Sequence, residues 1–338
     1  MSAARNRQWR LRRRPAGVVQ PSDFELADGA VPTLQDGQIL VRNVYLSIDP
    51  TQRLWARAEA SYMPPNPLGE VMRGIAAGVV EQSRNARYPA GAAVSGLFGM
   101  QDYAVSNGEG VNLLPPGVPL QAALAVFGHI GITAYFGLLE VGQAKAGETL
   151  VVSGAAGAVG SLVGQIGKIV DCRVIGIAGS DEKCRWITQE LGFDRAINYR
   201  TGDVGAALDH LCPDGIDVYF DNVGGEILDA ALARLRLHAR VALCGAISQY
   251  NAAGKPQGPS NLMYLVYRRA RMEGFLTADF RHRAAEAMKP LAQWLKEGRI
   301  KYRVDIVHGL ENAIAAMQRM YEGGNIGKLL VQVSEEPA

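Results

Sequence analysis

Hydrophobic positions along the chain fall into three regimes. Up to about residue 125, short apolar runs alternate with Gly and Pro turns, at 38–47 (QILVRNVYLS), 74–81 (GIAAGVVE), 92–98 (AAVSGLF) and 102–105 (DYAV). Runs of this length, bounded by turn residues, predict the strands of a compact all-β unit. From 122 to 139 the spacing turns helical. From 148 to about 280, buried-strand runs alternate with helical stretches, which predicts a parallel sheet with crossover helices. Two more helices are predicted at 283–296 and 310–321, and a strand at 328–333 (KLLVQV) closes the pattern. There is no internal repeat and no low-complexity tract. The stretch 251–261 (NAAGKPQGPSN) is polar and rich in Gly and Pro. It reads as a mobile surface loop beside the strand end that carries Gly245.

The middle regime holds the most informative string, 150–170 (LVVSGAAGAVGSLVGQIGKIV). Leu150, Val151 and Val152 end an apolar β run. Gly154, Gly157 and Gly160 follow at three-residue spacing, and Leu162, Val163, Ile166 and Ile169 then recur at helical intervals. A turn without side chains lets the backbone approach a pyrophosphate, and the next helix offers its N–H groups to that anion. The competing reading is glycine used for close packing alone. Context favours the nucleotide. A second strand at 173–178 (RVIGIA) completes a βαβ unit, 217–220 (DVYF) runs into Asp221-Asn222-Val223-Gly224-Gly225, and 240–243 (RVAL) runs into Cys244-Gly245-Ala246. Glycine after several strands suits a doubly wound sheet with a ligand across its carboxyl edge.

Composition narrows the field. At 338 residues the chain predicts two domains. A hydrophobic fraction of 48% with 20% charged residues is that of a soluble globular enzyme. The 35 basic and 33 acidic residues are too balanced for nucleic acid as a main partner. No apolar run would span a bilayer. The arginine-rich start lacks the apolar segment of a secretory signal, and reads as a first strand with exposed arginines in a cytoplasmic protein. The four cysteines, Cys172, Cys184, Cys212 and Cys244, form no CxxC pair and read as small core residues.

An all-β first domain, a Rossmann domain and a returning C-terminal segment resemble the medium-chain dehydrogenase/reductase superfamily. The strings NRQWRLRRRPAG, NVYLSIDP, GITAYFGLLEVGQAKAGETLVVSGAAGAVGS, GSDEKC, LGFDRAINY, DVYFDNVGG, CGAISQYN, GLENA and GGNIGK narrow this further. They are similar to the leukotriene 12-hydroxydehydrogenase / prostaglandin reductase / curcumin reductase group. The resemblance runs nearly end to end. It implies an α/β protein with a GroES-like β-rich catalytic domain (1–125 and 300–338) and a doubly wound Rossmann NADP-binding domain (126–299). It also implies a cytoplasmic homodimer that reduces the C=C bond of α,β-unsaturated ketones or aldehydes with NADPH. Small-molecule enones or enals would be its partners.

The residues bear on that expectation. Zinc alcohol dehydrogenases need Cys, His and a carboxylate for an open tetrahedral site. The β region has no cysteine, and Gly69, not His, precedes Glu70, so no metal is expected. NAD enzymes place a carboxylate at the end of the second strand. Here Gly179 and Ser180 stand there, followed by Asp181, Glu182 and Lys183. A lysine attracts a 2′-phosphate, although Lys183 also reads as a solvated helix residue.

By resemblance, Lys183 and Tyr199 contact the 2′-phosphate, and Gly157, Ala158, Val159 and Gly160 cover the pyrophosphate. Thr133 lies near the nicotinamide. Asn222, the run Cys244, Gly245, Ala246, Ile247, Ser248 and Tyr250, then Phe275, Leu276, Thr277 and Asn325 line the cofactor. Tyr250 is the main catalytic candidate, as a phenol that hydrogen-bonds the developing enolate or only positions the ribose. Arg53 and Tyr62 match positions near the substrate, with a structural role as the alternative. The chain departs from the family after Asp49-Pro50, where Thr51-Gln52 replaces Tyr-Met, and at Gly128-His129-Ile130-Gly131, where the family reads Gly-Met-Pro-Gly. His129 is therefore a second catalytic candidate, as proton donor or oxygen ligand, or else a packed histidine. Two other functions stay open. One is a quinone reductase of the ζ-crystallin type. The other is a non-catalytic NADPH- or RNA-binding protein.

Overall fold

The computed structural model describes residues 5–252, 254 and 257–337. They form two compact units, one running up to Leu124 and resuming at Val304, the other spanning Ala125–Arg303.

The Ala125–Arg303 unit is built on a six-stranded sheet of β1 (Thr149–Ser153), β2 (Arg173–Ala178), β3 (Arg195–Asn198), β4 (Ile216–Asp221), β5 (Leu235–Leu243) and β6 (Arg271–Gly274). Their order is β3-β2-β1-β4-β5-β6, and every pairing is parallel. This is the doubly wound arrangement expected. Strands buried on both faces must be apolar throughout, and β1, β2 and β4 supply Val151, Ile175, Ile177 and Tyr219 to one core. Strand order reverses between β1 and β4, which opens a crevice at their carboxyl ends.

The helix Ala158–Ile169 crosses this sheet closely because glycine faces it. A Cβ on Gly164 would lie 1.8 Å from the Phe193 ring, and one on Gly167 would lie 2.5 Å from Leu150. The single helix expected over 122–139 is instead two, Leu120–Ala125 and His129–Phe136. Gly128 is extended (φ −109°, ψ −148°) and breaks the run. Gly131 sits so close to the Val126 carbonyl that a Cβ would come within 1.9 Å of its oxygen. A widened turn follows, in which the Gly142 N–H reaches the Gly137 carbonyl. Residues 253, 255 and 256 of the expected 251–261 loop lie outside the described residues. At its far end, the Ser260 and Asn261 N–H groups donate to Asp229.

The other unit is the β-rich one. Its seven-stranded sheet contains the expected strands at Ile39–Ser47, Ala76–Ser83, Ala93–Gly96, Tyr103–Ser106 and Lys328–Gln332. The sequence reading missed several elements here, among them the short strand Asn112–Leu113 and the two that follow. The strand Val304–His308 pairs in parallel with Lys328–Gln332, and a short helix, Thr51–Trp55, interrupts the β region. The first strand, Arg5–Leu11, pairs with Phe24–Ala30. Of its arginines Arg5 is exposed, whereas Arg7 is only partly solvated, its Nε meeting Asp102 Oδ2 at 2.9 Å.

The C-terminal strand is tied in by a buried ion pair. Lys328 Nζ donates to Asp49 Oδ1 at 2.7 Å and to the Ile48 carbonyl at 2.8 Å. Removing one member of a buried pair leaves the other charge uncompensated. Lys328→Met is expected to cost about 3–5 kcal/mol, read as a lower urea midpoint, whereas Arg5→Met, at an exposed pair, should leave the midpoint nearly unchanged.

Candidate active site

The carboxyl ends of β1, β2, β4 and β5 gather most of the residues singled out in the sequence. At the end of β1, Gly154 takes φ +58°, and a Cβ there would touch Asn222 Cβ at 3.4 Å. Gly157 is extended and caps the helix Ala158–Ile169. A Cβ on Gly160 would lie 2.4 Å from the Gly154 carbonyl oxygen, so this glycine lets the helix rest on the turn. The first-turn amides of the helix have no partners within it and face the crevice end of the sheet. A backbone cradle with the helix dipole behind it suits a pyrophosphate.

At the end of β2, the Ser180 hydroxyl accepts from the Lys183 N–H at 3.2 Å and starts a short helix. Lys183 is half-buried on it. Tyr199 follows β3, donates its N–H to the Ala178 carbonyl, and lays its ring against Gly179, where a Cβ would meet the phenol oxygen at 2.9 Å. Tyr199 is 40% exposed. The fold thus brings Lys183 and Tyr199 to the same strand end, although they are far apart in sequence.

At β4 and β5 a buried polar group sits where the sequence reading named only its neighbour. Asp221 is fully buried. Its carboxylate accepts from Ser153 Oγ at 2.7 Å, from Tyr219 Oη at 2.9 Å, and from the N–H groups of Val223 and Gly224. Its backbone carbonyl accepts from the N–H groups of Cys244 and Gly245. Burial pushes its pKa above the ordinary carboxylate value, and the hydrogen bonds offset part of that rise. Burial likewise pushes the Cys244 thiol up to about 12. A sequence signal for Asp221 existed: a carboxylate directly after the run 218–220 (VYF) must be met by donors when that strand is buried.

Beyond Cys244 the chain turns through Ile247–Gln249. Ser248 Oγ donates to the Val223 carbonyl. Tyr250 is half-buried, and its phenol oxygen accepts the Ala246 N–H at 3.1 Å. Thr133 Oγ1 and Thr277 Oγ1 meet at 2.5 Å. His129 opens the Thr133 helix one turn before it, on the same face. Phe275 is a partial correction. Its ring packs edge-on against Phe220 and Phe280, so its side chain belongs to the core, while Leu276 beside it is exposed.

In the β-rich unit, Asn325 donates to the Gly327 carbonyl. Tyr62 is 46% exposed, and its hydroxyl meets the Thr51 hydroxyl. Burial raises the Tyr62 pKa. Arg53, the other candidate near the substrate, turns inward. It is 2% exposed, and its guanidinium donates to the Gly17 and Pro15 carbonyls, which holds the loop after the first strand. Gln52 is equally internal, bonded to Ser47 and Asp49, and Ile130 is buried. Of the departures from family pattern, Thr51 and His129 therefore keep exposed or half-exposed side chains. Among the described residues, no three His, Cys, Asp or Glu side chains cluster as a metal site, and no helix is long and apolar enough to cross a membrane.

Comparison with known proteins agrees with this geometry. Residues 7–114 match the family described as the N-terminal domain of oxidoreductase, and residues 158–296 the family described as zinc-binding dehydrogenase. The NADPH-dependent curcumin reductase of Escherichia coli is 44% identical over 98% of this chain and 97% of its own. The NADP(+)-dependent 2-alkenal reductase of Nicotiana tabacum is 39% identical over 98% of each. The crystal structure of CurA from Vibrio vulnificus in complex with NADPH superposes with a TM-score of 0.93 at 44% identity, over 98% of this chain and 100% of that one.

Proposed function

The chain belongs to the medium-chain dehydrogenase/reductase family, in its leukotriene 12-hydroxydehydrogenase / prostaglandin reductase / curcumin reductase group, and we propose that it is an NADPH-dependent reductase of the C=C bond of α,β-unsaturated ketones or aldehydes. The observation that carries this reading is the likeness, over both whole chains, to an NADPH-dependent reductase of an enone. The chain's own residues fit the cofactor. The cradle at Gly154, Gly157 and Gly160 has no room for side chains where the helix meets the turn, and this suits a pyrophosphate laid on backbone. NADPH supplies a hydride to the substrate β-carbon.

On this reading the Ala125–Arg303 unit holds the cofactor, with Tyr62 as a candidate substrate residue and Asn325 as a candidate cofactor residue. Lys183 and Tyr199 take the 2′-phosphate: the ammonium pairs with it, and the phenol at Gly179 flanks it. Asn222, the backbone of 244–248, Leu276, and Thr277 with Thr133 line the nucleotide and its nicotinamide end. The Tyr250 oxygen accepts the Ala246 N–H, which orients its O–H as a donor to the enolate oxygen or to the ribose beside it. Such a donor acts on charge that develops during the reaction, so it favours the transition state over the ground state. His129 stands near Thr133 as a second donor, and solvent or His129 protonates the α-carbon.

The reaction is zinc-independent on this proposal, because the β-rich unit has no cysteine and no His before Glu70. The enzyme works in the cytoplasm, without a nucleic-acid partner, as a homodimer. Support for the dimer comes from β6, an edge strand beside exposed Leu262, Met263, Val266 and Tyr267. An unpaired edge next to an apolar patch is a surface that associates. Antiparallel pairing of two copies about Met272 would set Arg271 opposite Glu273.

Tests are direct. NADPH should be oxidised in the presence of simple enones and enals, giving the saturated carbonyl compound; an allylic alcohol as product would refute the reading, and turnover of naphthoquinone alone would replace it with a quinone reductase. Tyr250→Phe should lower kcat on the order of 10²-fold with little change in NADPH affinity. Lys183→Ala should raise the KM for NADPH about tenfold or more while sparing NADH. Light scattering should give a dimer mass that Val266→Asp with Tyr267→Asp converts to a monomer.

A further inference from the structure

We infer that Asp221 is a positioning residue that sets the Tyr250 loop and Asn222 against the glycine turn, so that cofactor affinity depends on its ionised form. The inference rests on the reading of this unit as an NADPH site.

Three strand ends meet at this one residue, β1 and β4 through its side chain and β5 through its backbone carbonyl. Ser153 closes β1 and leads directly into Gly154. Its hydroxyl donates to Asp221 Oδ1 and accepts the Asn222 N–H at 2.8 Å, while Asn222 Nδ2 donates to the Ser153 carbonyl at 2.7 Å. Asp221 closes β4, and both its oxygens take the Gly224 N–H at the start of the next helix. From β5, the Cys244 and Gly245 N–H groups bond the Asp221 carbonyl, and the next residue, Ala246, is the one that holds Tyr250. The glycine turn, Asn222 and the Tyr250 phenol are therefore referenced to a single buried residue.

The donor count selects the protonation state. All the groups around the side chain donate to it, and two are backbone N–H groups that cannot accept. A neutral carboxyl would direct its own proton at one of them. The titratable groups facing it are the Tyr219 phenol on its own strand and the Cys244 thiol on β5, both shifted upward by burial and so neutral near pH 7. The leading compensation of the carboxylate comes from its hydrogen bonds to Ser153, Gly224, Val223 and Tyr219.

The sign of the pH dependence follows. Asp221 titrates above an ordinary carboxylate, so its ionised form is lost on mild acidification, before most surface carboxylates protonate. Binding of NADPH holds the loops in the arrangement made by the ionised form. Affinity for NADPH should therefore weaken as pH falls into that range, and bound NADPH must in turn favour ionisation of Asp221.

The experiment measures NADPH Kd by fluorescence across acid to neutral pH, with no enone present. Wild type should bind at neutral pH and lose affinity tenfold or more on the acid side. Asp221→Asn should bind at least tenfold more weakly at neutral pH and lose the acid limb. If that variant does not fold, Tyr219→Phe serves, because the ring is fully buried and only the hydroxyl goes. With one donor removed, the acid limb should move to higher pH while the far-ultraviolet spectrum stays unchanged. An acid limb in the same place in Tyr219→Phe, or a folded Asp221→Asn that keeps wild-type affinity and pH profile, overturns the inference. Wild-type protein that does not bind NADPH at any pH instead overturns the reading of the site itself.

Discussion

The helix Ala158–Ile169 can do its work only because it carries almost nothing on the face that meets the sheet. Gly160, Gly164 and Gly167 let its axis settle against the glycine turn, Phe193 and β1. At ordinary helix–sheet distance its first-turn amides would stand away from the strand ends. Close contact brings them over the crevice where the order of β1 and β4 reverses. The anion cradle, the exit of β2 toward Lys183, and the Ser153–Asp221 link all take their positions from that contact. Overpacking a single one of these glycines would cost on the order of 1–3 kcal/mol and would also move the cradle.

Much of this was legible in the sequence, for physical reasons. Parallel strands buried on both faces leave continuous apolar runs, and these marked four of the six sheet strands or their cores at once; β3 and β6, short and at the edges, carry weaker patterns. Glycine spacing at 154, 157 and 160 located the turn. Lys183 and Tyr199 came from resemblance, and the fold explains their pairing by bringing β2 and β3 side by side. What remained hidden depended on side-chain direction. Arg53 and Tyr62 had similar standing in the sequence, yet one turns inward to backbone carbonyls and the other stays open to solvent. Asp221 was passed over for Asn222 because a one-dimensional pattern does not say which of two adjacent polar residues points into the core.

The β-rich unit shows the same limit. Its strands announce themselves through alternation and turns, but the helix Thr51–Trp55 is too short for a periodic signal. Its ends are fixed instead by a buried network of Ser47, Asp49, Gln52 and Lys328. Three of those residues are polar and close together in sequence, which reads as surface. Only the return of Lys328 from the far end of the chain makes them interior.

That return has a consequence for how the chain is made. The β-rich unit is assembled from two separate stretches of sequence, with the nucleotide-type unit inserted between them. A ribosome emitting the chain finishes the inserted unit while the first one still lacks the strand Lys328–Gln332, and with it the partner of Asp49. The inserted unit has all its contacts within one continuous stretch and is free to fold first. The β-rich unit waits, with the Tyr45–Ser47 end of one strand lacking its partner and a carboxylate committed to a cation not yet synthesised. Growth of the nascent chain is therefore ordered by topology, and a strand made after the inserted unit completes the unit begun before it.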